Sequence, residues 1–336
     1  MNTKLERLGF LLVMGIGVQS TNLFANETDQ FTATEAIISD SSASMNGFFQ
    51  ERIHLGLTKA NKKSLEHCQD VAGLILTQVV GEFSPVNYLR DRTFSKVSLF
   101  TKHSPLVEHF PDDSVKDGRF RNTSIYRDRP FPINVAGVSR TINLNGIYIG
   151  TDKLGHFSIV GKTYYKNFIK GLKKGLTPNQ AEEMAISKGL KQEVAILGYL
   201  IGGTFSFADL EANYQGLKFA RNMCEGDNPH LKLVKGQWIQ NPENQFDITQ
   251  YINPKMDEAY NVSFWSPRLW KKMKKDIVRA YCKNLQSERY QKREAYYKTL
   301  IKETRHDELV DEFIIRRSKF DREKQLLSPE VDCSDI

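Results

Sequence analysis

The sequence predicts a mainly α-helical protein, a bundle-like core with a small β-hairpin and long loops inserted before it. Three observations carry that prediction. Apolar residues recur at helical spacing, as at Leu65, Cys68, Val71, Ile75 and Val79. Helix starts are marked at Thr177-Pro178 and Ser266-Pro267, where a hydroxyl can cap free amides and proline suits the first turn. One run, Val138 to Leu144, alternates in the manner of a strand and is followed by Asn145-Gly146 and Ile147 to Ile149, a hairpin signal.

The chain opens as a secretory signal. Lys4 and Arg7 precede an uncharged apolar stretch from Leu8 to Val18, and Leu23-Phe24-Ala25 places a small residue before a cleavage point at Ala25–Asn26. The stretch is shorter than the roughly 20 apolar residues that cross a bilayer. The first cysteine is Cys68, so no lipidation cysteine stands at the cleavage point. Val71 to Val80 is short and contains Gln78, and Val194 to Phe207 is broken by Gly202-Gly203. The expectation is an exported protein of the periplasm or outer envelope. There, Cys68, Cys224, Cys282 and Cys333 are expected to form disulfides, with three full pairings open, the alternative being four free buried thiols. Cys224–Cys282 is the favoured pair because each flanks a predicted structured segment.

After the signal peptide at 1–25, residues 26–44 are small and polar and read as a flexible leader. A helical core domain with the hairpin insertion is expected over 45–230, followed by a basic helical region over 231–336. Within the core, helices are predicted near 62–80, 153–171, 177–200 and 206–222, with Ser84-Pro85 and Gly202-Gly203 as breaks. Pro105, Pro111, Pro130 and Pro132 mark the loops around the hairpin. Beyond Pro267, Leu269, Trp270, Met273, Ile277 and Tyr281 share one helix face, and a charged helical stretch follows over 287–327. No internal repeat is present.

The net charge is +7, and +6 without the signal segment. Much of the excess lies between Arg268 and Arg293, where ten Lys and Arg face only Asp276 and Glu288. Outside the cytoplasm such a stripe suits an anionic membrane surface or an acidic envelope polymer, not nucleic acid; a solvated helix face is the plainer reading.

Chemistry-bearing residues gather in the middle of the chain. Asp152 and His156 are four apart, so a helix presents both from one face, where a carboxylate can orient an imidazole or share a metal ion with it. Glu193 is an acid in an otherwise apolar helix, costly without a partner. Asp209 and Asn213 again share a face. Each has a plainer role: Asp152 as a helix cap, His156 as a satisfied core histidine, Asp209 as the acid of a capping box with Ser206. Their joint occurrence is what singles them out.

Asp152-Lys153-x-x-His156-Phe157, then Glu193, then Ser206-x-x-Asp209-x-x-x-Asn213-x-x-Gly216 resembles the pattern of VanZ-like proteins and of small predicted periplasmic lipoproteins of the YfiM type. The likeness covers residues 150–220 and departs from both groups in lacking the membrane helices and the lipoprotein cysteine. It implies a shared helical site rather than a particular reaction.

From the residues, the preferred expectation is an envelope protein whose inter-helix cleft holds Asp152, His156, Glu193, Asp209 and Asn213. As an enzyme it would hydrolyse an envelope component, with His156 or Glu193 as general base, Asp152 orienting His156, and Asp209 with Asn213 holding a polar group or metal. No Gly-x-Ser-x-Gly or His-Glu-x-x-His motif offers another centre. The rival is a non-catalytic envelope protein, structural or membrane-surface-binding, with a buried hydrogen-bond network. A third reading is a site for Mg, Ca or Mn built from the same oxygen ligands. Cofactor and oligomeric state are not specified by the sequence.

Overall fold

Asn145 and Gly146 both adopt positive φ, the backbone of a tight two-residue hairpin turn. They join β4 (Thr141–Leu144) to β5 (Ile147–Gly150) in antiparallel register, Leu144 opposite Ile147. The computed structural model describes residues 27–81, 95–127, 137–194, 203–316 and Cys333. The expected signal peptide, the Ser84-Pro85 and Gly202 breaks, Pro130 and Pro132, and the far ends of the helices expected to reach 200 and 327 lie outside these residues.

The fold is mainly α. In chain order the described helices are α1 (Ser42–Lys62), α2 (Cys68–Val80), α3 (Lys96–His103), α4 (Asp117–Thr123) and α5 (Thr151–Gly155). A π-helical turn, His156–Val160, carries α5 into α6 (Gly161–Leu172). There follow α7 (Pro178–Gln192), α8 (Phe207–Asn222), α9 (Pro267–Leu285), α10 (Glu288–Leu300) and α11 (Arg305–Arg316). The short strands are β1 (Glu27–Thr28), β2 (His109–Phe110), β3 (Val138–Ser139), β6 (Thr204–Phe205), β7 (Leu231–Val234), β8 (Gln237–Gln240) and β9 (Phe264–Trp265). β2 joins the hairpin in the order β2-β4-β5, β1 lies parallel to β3, and β6 pairs with β9.

Local signals explain the helix ends. Thr177 Oγ1 accepts from Gln180 N at 3.3 Å while the Gln180 side chain accepts from Thr177 N, closing a capping box with Pro178 in the first turn. Ser206 and Ser266 cap α8 and α9. α8 runs through the middle of the molecule, buried continuously from Ala208 to Leu217 although Asp209, Glu211, Asn213 and Gln215 lie on it. α6 crosses it where Gly161 meets Gly216; a Cβ on Gly216 would collide with the carbonyl of Phe157, so this approach requires glycine. One hydrophobic cluster runs from Met45 and Phe49 through Phe157, Phe168 and Phe219 to Tyr297 and Ile314, drawing on residues before and after position 230. A second lies under α9, with Phe31, Tyr126, Trp265, Met273 and Ile277.

Three expectations change. Residues 27–34, whose composition suggests a flexible leader, include buried Glu27, Thr28, Asp29, Gln30, Phe31, Ala33 and Thr34. Their polar groups find partners in the interior, which composition does not reveal: Asp29 accepts from the amides of Thr32 and Ile125. The helix expected over 62–80 begins at Cys68, preceded by the longer α1, and a second hairpin, β7–β8, turns at Lys235-Gly236. The disulfides are Cys68–Cys224 and Cys282–Cys333 rather than Cys224–Cys282. The end of α8 meets the start of α2, where Cys68 Sγ also lies near Met223 O. That leaves Cys282 on α9 for Cys333.

Candidate functional site

Strand β5 delivers the chain directly into α5, so Asp152, Lys153 and His156 enter the interior together. Gly150 permits this entry, because a Cβ there would overlap Thr28 Oγ1 and Asp152 Oδ1. The helix then widens into the π turn at His156, a distortion found often at functional sites.

Lys153 is the hub. Its ammonium is wholly enclosed and contacts Asp152 Oδ2 at 2.9 Å, Asp209 Oδ1 at 2.6 Å and Glu258 Oε1, one carboxylate for each of its three donors. Burial alone would pull its pKa down; Asp152, Asp209 and Glu258 outweigh burial and hold it well above the ordinary lysine range. Asp209 reaches His156 through its other oxygen, 3.3 Å from Nε2, while Asn213 Oδ1 lies 3.1 Å from Nδ1. Ser206 ties the acids together at the start of α8. Its Oγ accepts from Asp209 N at 3.1 Å and donates to Glu258 Oε1 at 3.2 Å, and its amide donates to Glu193 Oε1 at 3.4 Å.

The sequence-predicted residues Asp209, His156 and Asn213 therefore meet, and Glu193 joins them through Ser206. Asp152 does not take the role expected of it. It accepts from Thr28 Oγ1 at 2.6 Å and pairs with Lys153, while His156 is oriented by Asp209 and Asn213. Asp209 is capped at its amide by Ser206 as a capping box requires, yet its carboxylate goes to Lys153 and His156. Sequence reasoning missed Glu258, and treated Lys153 and Ser206 only as parts of a motif. The adjacent acids Asp257-Glu258 between Met256 and Ala259 were the available signal for Glu258, and both are buried.

The charge is unbalanced. One ammonium faces Asp152, Asp209 and Glu258, with Glu193 and Glu27 close enough to repel them. Burial, with Asp209 and Glu27 adding, pushes the Glu193 carboxyl well above the usual range, and its Oε2 is buried without a hydrogen bond. Glu258 is driven the same way: Lys153 draws it toward the ionised form, but burial, Asp152, Glu27 and Asp209 together push harder. Its Oε2 is also buried without a hydrogen bond. Beside it, burial raises Asp257 to about 6, although Arg293, the Ala259 amide and the Tyr297 hydroxyl favour its ionised form.

The oxygens of Asp152, Asp209 and Glu258 lie within 4.8 Å of one another, spacing that would suit a cation, but the Lys153 ammonium already bonds all three. Chemically the arrangement offers an Asp–His pair beside a carboxyl whose protonated form burial favours, the components of acid–base catalysis. Residues 27–34 lie over it: besides Thr28 on Asp152, Gln30 Oε1 accepts from Glu258 N at 2.6 Å and Gln30 Nε2 donates to Tyr148 O at 2.7 Å.

No protein-family model, curated protein or solved structure matches this chain. Among the described residues no helix is long and apolar enough to cross a membrane.

Proposed function

We propose that this is an exported protein of the cell envelope whose Lys153-centred network is an acid–base site for hydrolysis of an envelope component. The observation that carries the reading is the surplus of buried acid around one ammonium. A network serving only to fix helix packing gains nothing from uncompensated carboxyls, which cost stability. In this reading Asp209 orients His156 as general base, Glu193 supplies a proton, and Lys153 steadies negative charge that develops on the substrate. Two disulfides fit an oxidising compartment, and the likeness of residues 150–220 to VanZ-like and YfiM-type proteins fits a shared helical site. Because residues 27–34 cover the network, substrate access requires that segment to lift.

The test is incubation of the purified, oxidised protein with peptidoglycan and with envelope lipids, followed by product analysis. Turnover is expected to fall at least about 100-fold in His156→Ala. Absence of turnover on every substrate, or turnover unchanged in that variant, counts against the enzyme.

A second reading, a non-catalytic protein with a purely structural network, is favoured by the depth of the site: Lys153, His156, Glu193, Asp209, Asn213 and Glu258 are all buried. It predicts that every substitution in the network lowers stability, whereas the acid–base reading predicts a gain for Glu193→Gln.

A further inference from the structure

Asp209 and Glu211 are two residues apart on α8 and so leave nearly opposite faces of the helix. Asp209 serves the Lys153 network, and Glu211 points to a cleft of about 590 Å³ bounded by α8 to α11 and the 255–262 loop. This volume lies within the range of small-molecule sites. Carboxylates of Glu211, Glu294, Glu303, Asp307 and Asp311 line it, and among the described lining residues only Lys255 brings an ammonium, with Lys298 pairing Glu294 from beside it, so it favours cations.

At its inner end, ligand atoms of Glu211, His306 and Asp307 lie within 4.8 Å of one another. His306 is only 3% exposed, and its ring is clamped flat against Tyr214, with centroids 4.6 Å apart and planes 7° from parallel. Its Nδ1 pairs with Glu211 Oε2 at 3.4 Å, while Nε2, also buried, makes no hydrogen bond. A buried ring nitrogen left without a partner is costly, and Nε2 is in that state.

The two carboxylates, by contrast, are held firmly from behind. Glu211 Oε1 accepts from Gln215 Nε2 at 2.7 Å and Asn253 Nδ2 at 2.6 Å. Asp307 Oδ2 accepts from Thr304 N, Thr304 Oγ1 and Lys255 Nζ, each at 2.7 Å. Neighbours thus fix one oxygen of each carboxylate, while the second Glu211 oxygen is turned to the imidazole, the pattern of outer contacts that orient metal ligands.

We propose that Glu211, His306 and Asp307 bind one divalent transition-metal ion of the zinc type. An imidazole with two carboxylates is a borderline N/O donor set, suited to zinc more than to calcium or magnesium. Three protein ligands at the wall of a cleft leave a coordination position for water or a bound small molecule. The proposal does not rest on the acid–base reading of Lys153, which lies across α8.

The oxidised full-length protein, stripped with a chelator and dialysed, is titrated with zinc chloride by calorimetry, and bound metal is measured by elemental analysis. One tight zinc ion per chain is expected. His306→Gln and Glu211→Gln should each weaken binding by on the order of 100-fold or more, and replacement of the exposed His54 by Gln should leave it unchanged. Circular dichroism verifies folding; should His306→Gln fail to fold, Asp307→Asn and the visible spectrum of the cobalt(II)-loaded wild type carry the test. No zinc binding by the wild type overturns the proposal, as does binding of equal strength in the folded ligand variants.

Discussion

Glu193→Gln separates a site that stores destabilisation from one that only packs helices. In the folded protein burial and the charges of Asp209 and Glu27 hold the Glu193 carboxyl well above 4.5, whereas in the unfolded chain it titrates near that value. Between the two the folded state keeps a proton that the unfolded state releases. The stability associated with Glu193 is therefore complete below pH 4.5 and is lost as pH rises toward the folded-state value, at about 1.4 kcal/mol per pH unit. Glutamine keeps the oxygen that accepts from Ser206 N and has no proton to lose. Near the acid end it should be neutral or cost about 1 kcal/mol, because its amide donors enter a buried site. Above that its advantage over the wild type should grow with pH, by about 1.4 kcal/mol per unit at most, until the folded-state value is passed. Urea unfolding followed by tryptophan fluorescence, with disulfides intact, at pH values of about 5, 6 and 7 measures this directly. Parallel stability curves for wild type and variant would refute both the raised carboxyl and the stored destabilisation.

Removing the hub should act in the opposite direction: Lys153→Met leaves the buried acids Asp152, Asp209 and Glu258 without their ammonium and should cost about 3–5 kcal/mol near neutral pH, read from the urea midpoint. Asp257, raised from 3.8 to about 6 by burial, makes a separate contribution that is lost as pH climbs through that window, up to about 3 kcal/mol. Asp257→Asn should flatten the corresponding part of the stability curve, and an unchanged slope there counts against the assignment. The Cys68–Cys224 bridge closes a loop of 156 residues, so replacing both with Ala should lower stability by about 3–5 kcal/mol in chemical denaturation. On α9, Arg268, Lys271, Lys272, Lys274 and Lys275 are exposed while Leu269, Met273 and Ile277 face the core. Flotation with anionic vesicles should accordingly be lost at high salt and absent with neutral lipid; insensitivity to both rules out electrostatic membrane contact.

Much of the architecture could be read directly, since it depends on short-range rules. The Asn145-Gly146 turn, the Thr177, Ser206 and Ser266 caps and the amphipathic face of α9 each follow from a handful of neighbouring residues. α1 carried a readable pattern too, in Met45, Phe49, Ile53, Leu57 and Ala60, but the small polar residues before it masked its start. In the site, the spacings 152/156 and 209/213 brought attention to the right helices, and joint occurrence selected residues that do converge.

By itself, then, the sequence determined the helical class, the hairpin, the helix starts at Thr177, Ser206 and Ser266 and the group His156, Asp209 and Asn213, because helical period, caps and turns act over a few residues. Tertiary structure alone decided that Lys153 rather than His156 is the hub, that Glu258 joins it from 105 positions away, and that Thr28 takes the second Asp152 oxygen from 124 positions away. The pairing of Cys68 with Cys224 was decided at the same level. A buried charge must take whatever partners the packed helices bring within about 3 Å. Which partners those are depends on how α5, α8 and the 254–259 segment cross, and no local spacing encodes that crossing.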